Sequence, residues 1–443
     1  MRNSIKAIVA IGAFAALAFV AAGCGGSSNK SGSGNTTTTN GTSNTGNLTA
    51  LPASSCASIY YHGSGSPNYI VASDLPLQGA GRAQTTQMVQ AIQYALQQRG
   101  FKAGKYKIGY QSCDDSTAQA GAWDSAKCAS NARAYAGDND VIGVIGTFNS
   151  GCAKIIVPVL NRSNPGPLGM VSPANTSPGL TTTGPGADPG EPNKYYPTGK
   201  RNYARVVAND QIQGPADAMY AKQIGIKKIF ILNDKQTYGF GVATTFRGAA
   251  QKLGLNVAGF QGWDAKQSSY EALANTIKQS GADGVFIGGI ICNNGAKLIK
   301  DLSAGVPGAT LIAPDGFSDP ASNGTAFDGS YVSVAGEPPT SLKGEGKTFV
   351  TNFGNQIGET PNPYSQYGAQ AMDVMLDAIA KSTGTRASVT KNLFGLKVTN
   401  GILGTFTIND KGDTNLTPIT IYQQKAGKLN PIKTIVPPGN LTS

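Results

Sequence analysis

Short β-rich runs alternate with helical patterns from Asn68 almost to the end of this 443-residue chain, and that alternation restricts the fold more than any other feature. "NYIVASD" reads as a first strand, and "QTTQMVQAIQYALQQRG" as a helix with Met88, Ile92 and Leu96 on one face and Gly100 as its stop. "KYKIGYQS", "DVIGVIGT" and "PLGMVS" continue as strands, separated by the helical stretches "DSAKCASNARAYAG" and "AKIIVPVLN", the latter interrupted by Pro158. A polar, Pro/Gly-rich insertion follows. The pattern then restarts at "YARVVA" and runs through "KKIFILN", "DGVFIGG" and "ATLIAP" with helices between, one of them opened by a Ser268-x-x-Glu271 capping box. A late amphipathic helix, "PYSQYGAQAMDVMLDAIAKS", precedes a closing β-hairpin. Repeated βα units require parallel sheets with right-handed crossovers. The restart near Val206 divides them into two doubly wound parallel-sheet α/β lobes, with a ligand expected between the carboxyl ends of both sheets.

The first residues belong to no lobe. Arg2 and Lys6 precede the apolar run "AIVAIGAFAALAFVAAG", which is short for a membrane span and reads as an export signal over residues 1–23. Val20-Ala21-Ala22-Gly23-Cys24 resembles a bacterial lipobox with Ala21 in place of the usual Leu, which implies a lipid on Cys24. Gly25 to Ser55 is rich in Gly, Ser, Thr and Asn. It reads as a flexible tether of about 31 residues with a reach of about 30 Å. Residues 24–66 are therefore assigned to a lipid-anchored linker and N-terminal extension.

The charge balance, 36 basic against 25 acidic residues, is +11. The cations are scattered, with only Lys200-Arg201 and Lys227-Lys228 paired, so no nucleic-acid footprint is expected. Six cysteines are present, and lipidation of Cys24 would leave five. Cys113 with Cys128 is the preferred disulfide and Cys113 with Cys152 the alternative. Without a CxxC or Cys/His spacing, no metal site is expected.

The chemistry-bearing loops narrow the function. "QGAGRAQ" lacks the third glycine of a dinucleotide fingerprint, and no P-loop or G-x-S-x-G elbow occurs, so no cofactor is expected. His62 is the only histidine and lies outside the βα pattern, which leaves Ser150 and Cys152 in "TFNSGC" without a base unless Lys154 serves. The same loop offers backbone N–H groups at a helix start, with Asn149 and Ser150, an arrangement suited to a carboxylate. "SPANTSPG" repeats it with Asn175 and Thr176. Local Asx and Ser/Thr turns are the alternative for both loops. Tyr238 in "NDKQTYGFG" follows a strand and either closes over a ligand or merely caps the helix. Asp315 in "IAPDG" either pairs with an ammonium group or makes a turn before glycine.

Taken in order, "LPLQGAGR", the Ser150 loop, "SPANTSPGLT", "NDKQTYGFGVA", "GADGVFIGG", "APDG" and "GTFTINDKGD" resemble the leucine/isoleucine/valine-binding family of ABC-importer binding proteins. The resemblance implies the type I periplasmic-binding-protein fold, with lobes joined by a three-strand hinge. The N-terminal lobe would comprise 67–206 plus 337–402, and the C-terminal lobe 207–336 plus 403–440. It implies that Ser150 and Thr176 donate to a ligand carboxylate, that Tyr238 closes the cleft, and that Asp315 replaces a longer family glutamate facing the ammonium. A second family tyrosine falls at Ile290, and the family's first-loop aromatic has no counterpart near Gln78. Gln78 and Asn293 become further contact candidates. The implied protein is a monomeric, non-enzymatic receptor, extracytoplasmic and membrane-anchored through Cys24, that delivers an amino acid or similar zwitterion to an ABC permease. A ligand-sensing receptor for an amide or small carboxylate is the second reading and a serine hydrolase built on Ser150 the third.

Overall fold

Strands that are apolar on both faces build two sheets in this computed structural model, which describes residues 48–442, all within one compact unit, Ser43–Ser443. The export signal, Cys24 and the tether as far as residue 47 lie outside the described residues. Among the described residues no helix is long and apolar enough to cross a membrane.

The first sheet draws on β1 (Tyr69–Leu75), β2 (Lys102–Ala103), β3 (Tyr106–Asp114), β6 (Val141–Gly146), β7 (Met170–Ser172) and β8 (Tyr203–Arg205), with the small hairpin β4 (Ser116–Thr117) and β5 (Ala122–Trp123) beside it. Its order is β2-β3-β1-β6-β7-β8, parallel except for β2. The second sheet uses β9 (Lys228–Asn233), β10 (Asn256–Gly262), β11 (Gly284–Gly288), β12 (Thr310–Ala313) and β13 (Tyr331–Ala335). After the separate hairpin of β14 (Lys397–Gly401) and β15 (Gly404–Thr407), it closes with β16 (Ile419–Lys425) and β17 (Lys428–Ile435). Its order is β10-β9-β11-β12-β13-β16-β17, with the last two strands antiparallel. Every residue of β6 and β11 is buried, as strands covered on both faces require.

The covering helices are α1 (Arg82–Gln98), α2 (Ser125–Gly137), α3 (Ser150–Asn161), α4 (Asp210–Gln223), α5 (Thr237–Lys252), α6 (Glu271–Ser280), α7 (Gly295–Gly305), α8 (Pro320–Asn323), α9 (Glu345–Ile357), α10 (Ser365–Ala380) and α11 (Arg386–Leu393). Met88, Ile92 and Leu96 of α1 are fully buried and α1 packs along α10, which returns late in the chain to cover the first sheet. Gly143 of β6 makes room for this: a Cβ there would sit 2.3 Å from Met375 Sδ. Helix α6 has no Ser268 cap. The Tyr270 amide instead donates to Asp301 Oδ2 at 2.7 Å, because α7 brings that carboxylate to the helix start.

The chain crosses between lobes after β8, after β13 and after β15. The last crossing falls later than position 403: β15 stays with the first lobe, where Leu403 N donates to Gln370 of α10, and Ile408 still pairs with Gly395 and Leu396.

Two expectations for the N-terminal extension and the cysteines are corrected. Residues 48–66 do not hang free. Leu51, Cys56, Ile59 and Tyr61 are buried, and Ala57 and Tyr60 bond to Ser112 and Tyr110 along the edge of β3. An uncovered edge strand invites such pairing. This places Cys56 beside Cys113, with Cα atoms 3.9 Å apart, and the two form a disulfide. Neither Cys113–Cys128 nor Cys113–Cys152 exists. Cys128 on α2 faces Cys152 on the neighbouring α3 and bonds to it, leaving Cys292 free. The polar insertion is also ordered against α3. Its buried Glu191 pairs with Lys154 at 2.6 Å and Lys194 at 3.2 Å and accepts from the Tyr195 hydroxyl.

Candidate functional site

Two loops at the carboxyl ends of β6 and β7 form one rigid floor. The Thr147 hydroxyl donates to Asn149 O at 2.7 Å, and Ser172 Oγ accepts from the Ala174 and Asn175 amides while donating to Thr147 O. Asn175 Nδ2 donates to Phe148 O at 3.0 Å and to Thr147 Oγ1 at 3.2 Å. Asn175 thus joins the two loops through long-range bonds rather than making a local turn. Ser150, the first residue of α3, is buried, and its Oγ accepts from Ser177 N at 3.3 Å. Thr176 Oγ1 and Ser177 Oγ are also buried but have no partner within the protein. Burying a hydroxyl unpaired is costly, and both keep donor capacity.

Acids face this floor. Asp315, which opens a short turn after β12, accepts from the Tyr238 hydroxyl at Oδ1 and from the Tyr364 hydroxyl at Oδ2, the latter at 2.5 Å. Tyr238 comes from the first turn of α5 and Tyr364 from the residue before α10, so the carboxylate is gripped from both lobes. Burial pushes the Asp315 carboxyl above its ordinary range, and the two tyrosine hydroxyls pull it back. Both phenols stay protonated, because burial and the Asp315 charge push them well above 10. Each carboxylate oxygen has two lone pairs, so acceptor capacity remains for a further donor.

Asp210, at the first turn of α4, was not singled out in the sequence. It is fully buried, neither oxygen has a hydrogen-bond partner, and its amide is tied to Thr176 O at 2.9 Å. Burial first, and then the charge of Asp315, hold its pKa well above the usual carboxylate range. Thr176 Oγ1 lies close enough to favour the charged form without adopting hydrogen-bonding geometry. Tyr364 and Asp210 carried a faint signal, an aromatic and an acid at helix starts following a strand or crossing. Position alone does not separate such residues from ordinary capping groups.

The remaining candidates divide. Gln78, Asn149 and Ile290 line a cavity of about 20 Å³ between the lobes, with Trp123, Phe148 and Ile291. Trp123, from the hairpin strand β5, supplies the aromatic surface that has no counterpart near Gln78 in the sequence. Asn293 is elsewhere: its Nδ2 donates to Asp234 Oδ2 at 2.7 Å and props the loop carrying Ile290, whose amide bonds to the same oxygen at 3.2 Å. Gln84 to Ser318 Oγ at 3.0 Å and Ser322 Oγ to Ala80 O at 3.0 Å also span the lobes. A larger cavity of about 340 Å³ lies away from these groups, between α1, α9, α10 and β14. There Arg99 already pairs with Asp373 and Asp377.

The candidate bases for Ser150 are engaged elsewhere. Lys154 is tied to Glu191 and Asp188, and His62 packs edge-on against Tyr60 and Phe101 on the outer side of the first sheet. The cleft brings together buried hydroxyls near a helix start, buried carboxyls and protonated tyrosines.

Known proteins resemble this chain in sequence and in fold. The chain is 26% identical over 304 residues to Leu/Ile/Val-binding protein homolog 3 of Brucella melitensis, covering 66% of this chain and 76% of that protein. It is 25% identical over 395 residues to the Leu/Ile/Val-binding protein BraC3 of Rhizobium johnstonii, covering 86% and 98%. Among solved structures, the leucine binding protein LivK of Thermotoga maritima superposes with a TM-score of 0.72 at 21% identity, covering 83% of this chain and 99% of that one. The family model for periplasmic binding proteins matches residues 71–428, which run from within β1 past the end of β16 and take in all three crossings; the chain belongs to the periplasmic binding protein family.

Proposed function

We propose that this protein is the solute-binding component of an ABC importer, closing on an amino acid or similar zwitterion without chemistry. The observation that carries the reading is that Thr176 Oγ1, a buried donor, lies beside the buried acid Asp210, whose carboxyl also feels the charge of Asp315. Ser150, Thr176 and Ser177 take the carboxylate. Asp315, fixed by Tyr238 and Tyr364, takes the ammonium together with Asp210. Trp123, Phe148, Ile290 and Ile291 enclose an apolar side chain. The relatives' names support a branched-chain amino acid as the ligand. The lipobox-like sequence at Cys24 supports an extracytoplasmic receptor tethered to a membrane beside its permease. The Lys154–Glu191 pairing weighs against a hydrolase, since it removes the one base near Ser150 in sequence.

Calorimetry against leucine, isoleucine, valine, their amides and their deaminated acids tests the reading. Micromolar binding corresponds to about −8 kcal/mol. Loss of one charged hydrogen-bonding partner in Asp315→Ala should weaken it by about tenfold to a hundredfold. If none of these compounds binds, and Asp315→Ala changes the affinity of no ligand found by wider screening, the zwitterion reading is wrong.

A further inference from the structure

Arg205, the last residue of β8, is fully buried and is not part of the cleft surface. One of its terminal nitrogens donates to Asn175 O at 3.0 Å and to Ser177 O at 2.9 Å, the carbonyls on either side of Thr176. The other donates to the Thr181 hydroxyl, and Nε donates to Asp413 Oδ1 at 2.6 Å. Thr181 Oγ1 also donates to that Asp413 oxygen at 2.9 Å, and Arg205 N bonds to Gly412 O at 2.8 Å. A single guanidinium therefore joins the second donor loop to the third crossing between the lobes. In a trans peptide the carbonyl and the following N–H point in opposite directions. Drawing Asn175 O back onto the guanidinium turns the Thr176 N–H away from it.

We propose that Arg205 is the positioning residue for the carboxylate half of the cleft: it fixes Thr176 for an anionic ligand end and ties that loop to the hinge. The proposal rests on the zwitterion reading. Arg205 touches no ligand and acts through Thr176. Its planar fork holds two carbonyls and a carboxylate at once, which a lysine ammonium cannot reproduce. Arg386 provides an internal control. It is equally buried, but it donates only to backbone carbonyls, among them Tyr135 O and Val141 O, and to no residue of the donor loops.

The test compares L-leucine with L-leucinamide by calorimetry on the full chain, at a pH where both amines are protonated. The two probes differ only at the carboxylate. Arg205→Lys should weaken leucine by about tenfold or more while changing leucinamide by less than about threefold, since bonds involving charged groups carry the larger energies. Arg386→Lys should lower the melting temperature and leave the leucine-to-leucinamide ratio unchanged. Equal weakening of both probes by Arg205→Lys would overturn the proposal. If Arg205→Lys does not fold, Thr181→Val releases one anchor of the same guanidinium and should move the ratio in the same direction. Hydrogen exchange supplies an independent readout: amides of residues 175–181 should exchange faster in either variant, while β9 keeps its protection. If wild-type protein binds leucine no better than leucinamide, the carboxylate reading fails; unchanged exchange in residues 175–181 then overturns the Arg205 assignment as well.

Discussion

Beneath the Ser150 loop lies a pair of buried acids whose titration should make stability depend on pH. Asp74 and Asp115 are both fully buried, and their oxygens lie within 4.8 Å of one another and of the Cys128 and Cys152 sulfurs. Asp74 Oδ1 accepts from Asn131 at 2.8 Å and Tyr135 at 2.5 Å, and Oδ2 lies 3.7 Å from Cys152 Sγ. Asp115 has no partner at either oxygen. Burial raises the Asp74 carboxyl from 3.8 to about 7 despite those two donors. Burial, with the charges of Asp74 and Asp114, raises Asp115 well above its ordinary range. The folded state therefore holds the Asp74 proton more tightly than the unfolded chain does. Its contribution is complete below about pH 4 and is lost as pH rises through about 7. A rise from 3.8 to about 7 corresponds to roughly 4 kcal/mol at 1.36 kcal/mol per pH unit. Asp74→Asn keeps an oxygen for Asn131 and Tyr135 and turns an amide toward the disulfide. It should match wild type at pH 4 and exceed it by about 2–4 kcal/mol at pH 8. Urea unfolding at pH 4, 6, 7 and 8, with the slope unchanged, measures this directly. Parallel curves for the two proteins, or a variant less stable than wild type at pH 8, would refute the reasoning.

Two further outcomes follow from packing and cross-linking. Gly143→Ala drives a methyl to within 2.3 Å of Met375 Sδ, so it should cost about 1–3 kcal/mol in thermal or urea unfolding; no loss would mean that α10 shifts freely on its sheet. Replacing Cys56 and Cys113 by serine opens a cross-link spanning 57 residues and should cost about 4 kcal/mol, read from the same unfolding curves; an unaltered midpoint would mean that the extension contributes nothing to the lobe.

The two-lobe architecture was legible because period and burial agree. "DVIGVIGT" is apolar at successive positions and becomes a central strand, and the Met88-Ile92-Leu96 stripe becomes the buried face of α1. The loops holding Ser150 and Thr176 were legible as well, since polar breaks after buried strands are local features. What could not be read was anything set by long-range pairing. Cys56 looked like part of the tether because its surroundings are Ser- and Gly-rich; only the exposed edge of β3 gives that segment a partner. Arg205 and Asp210 flank the first crossing, and Tyr364 comes near Asp210 only after the second crossing returns the chain to the first lobe. Asn293 erred in the opposite direction: an amide beside Ile290 in sequence serves Asp234 in space.

On the proposed reading, recognition divides between a constant end and a variable one. Thr176 and Asp210 are linked through the backbone at 2.9 Å, so a donor for the carboxylate and an acceptor for the ammonium move as one piece at the first crossing. Asp315 arrives from the second lobe already oriented by Tyr238 and reaches Tyr364 of the first only when the lobes meet. The charged head of a ligand would thus be read by groups that also report closure. Its side chain would face Trp123, Phe148, Ile290 and Ile291, none of which takes part in those bonds. Size at Ile290 should therefore alter which side chain is accepted while leaving head recognition intact, whereas loss of the Asp315 carboxylate should weaken every zwitterion alike. A fold that binds only after its two halves meet can in this way change ligand by changing a wall, without rebuilding the contacts that close it.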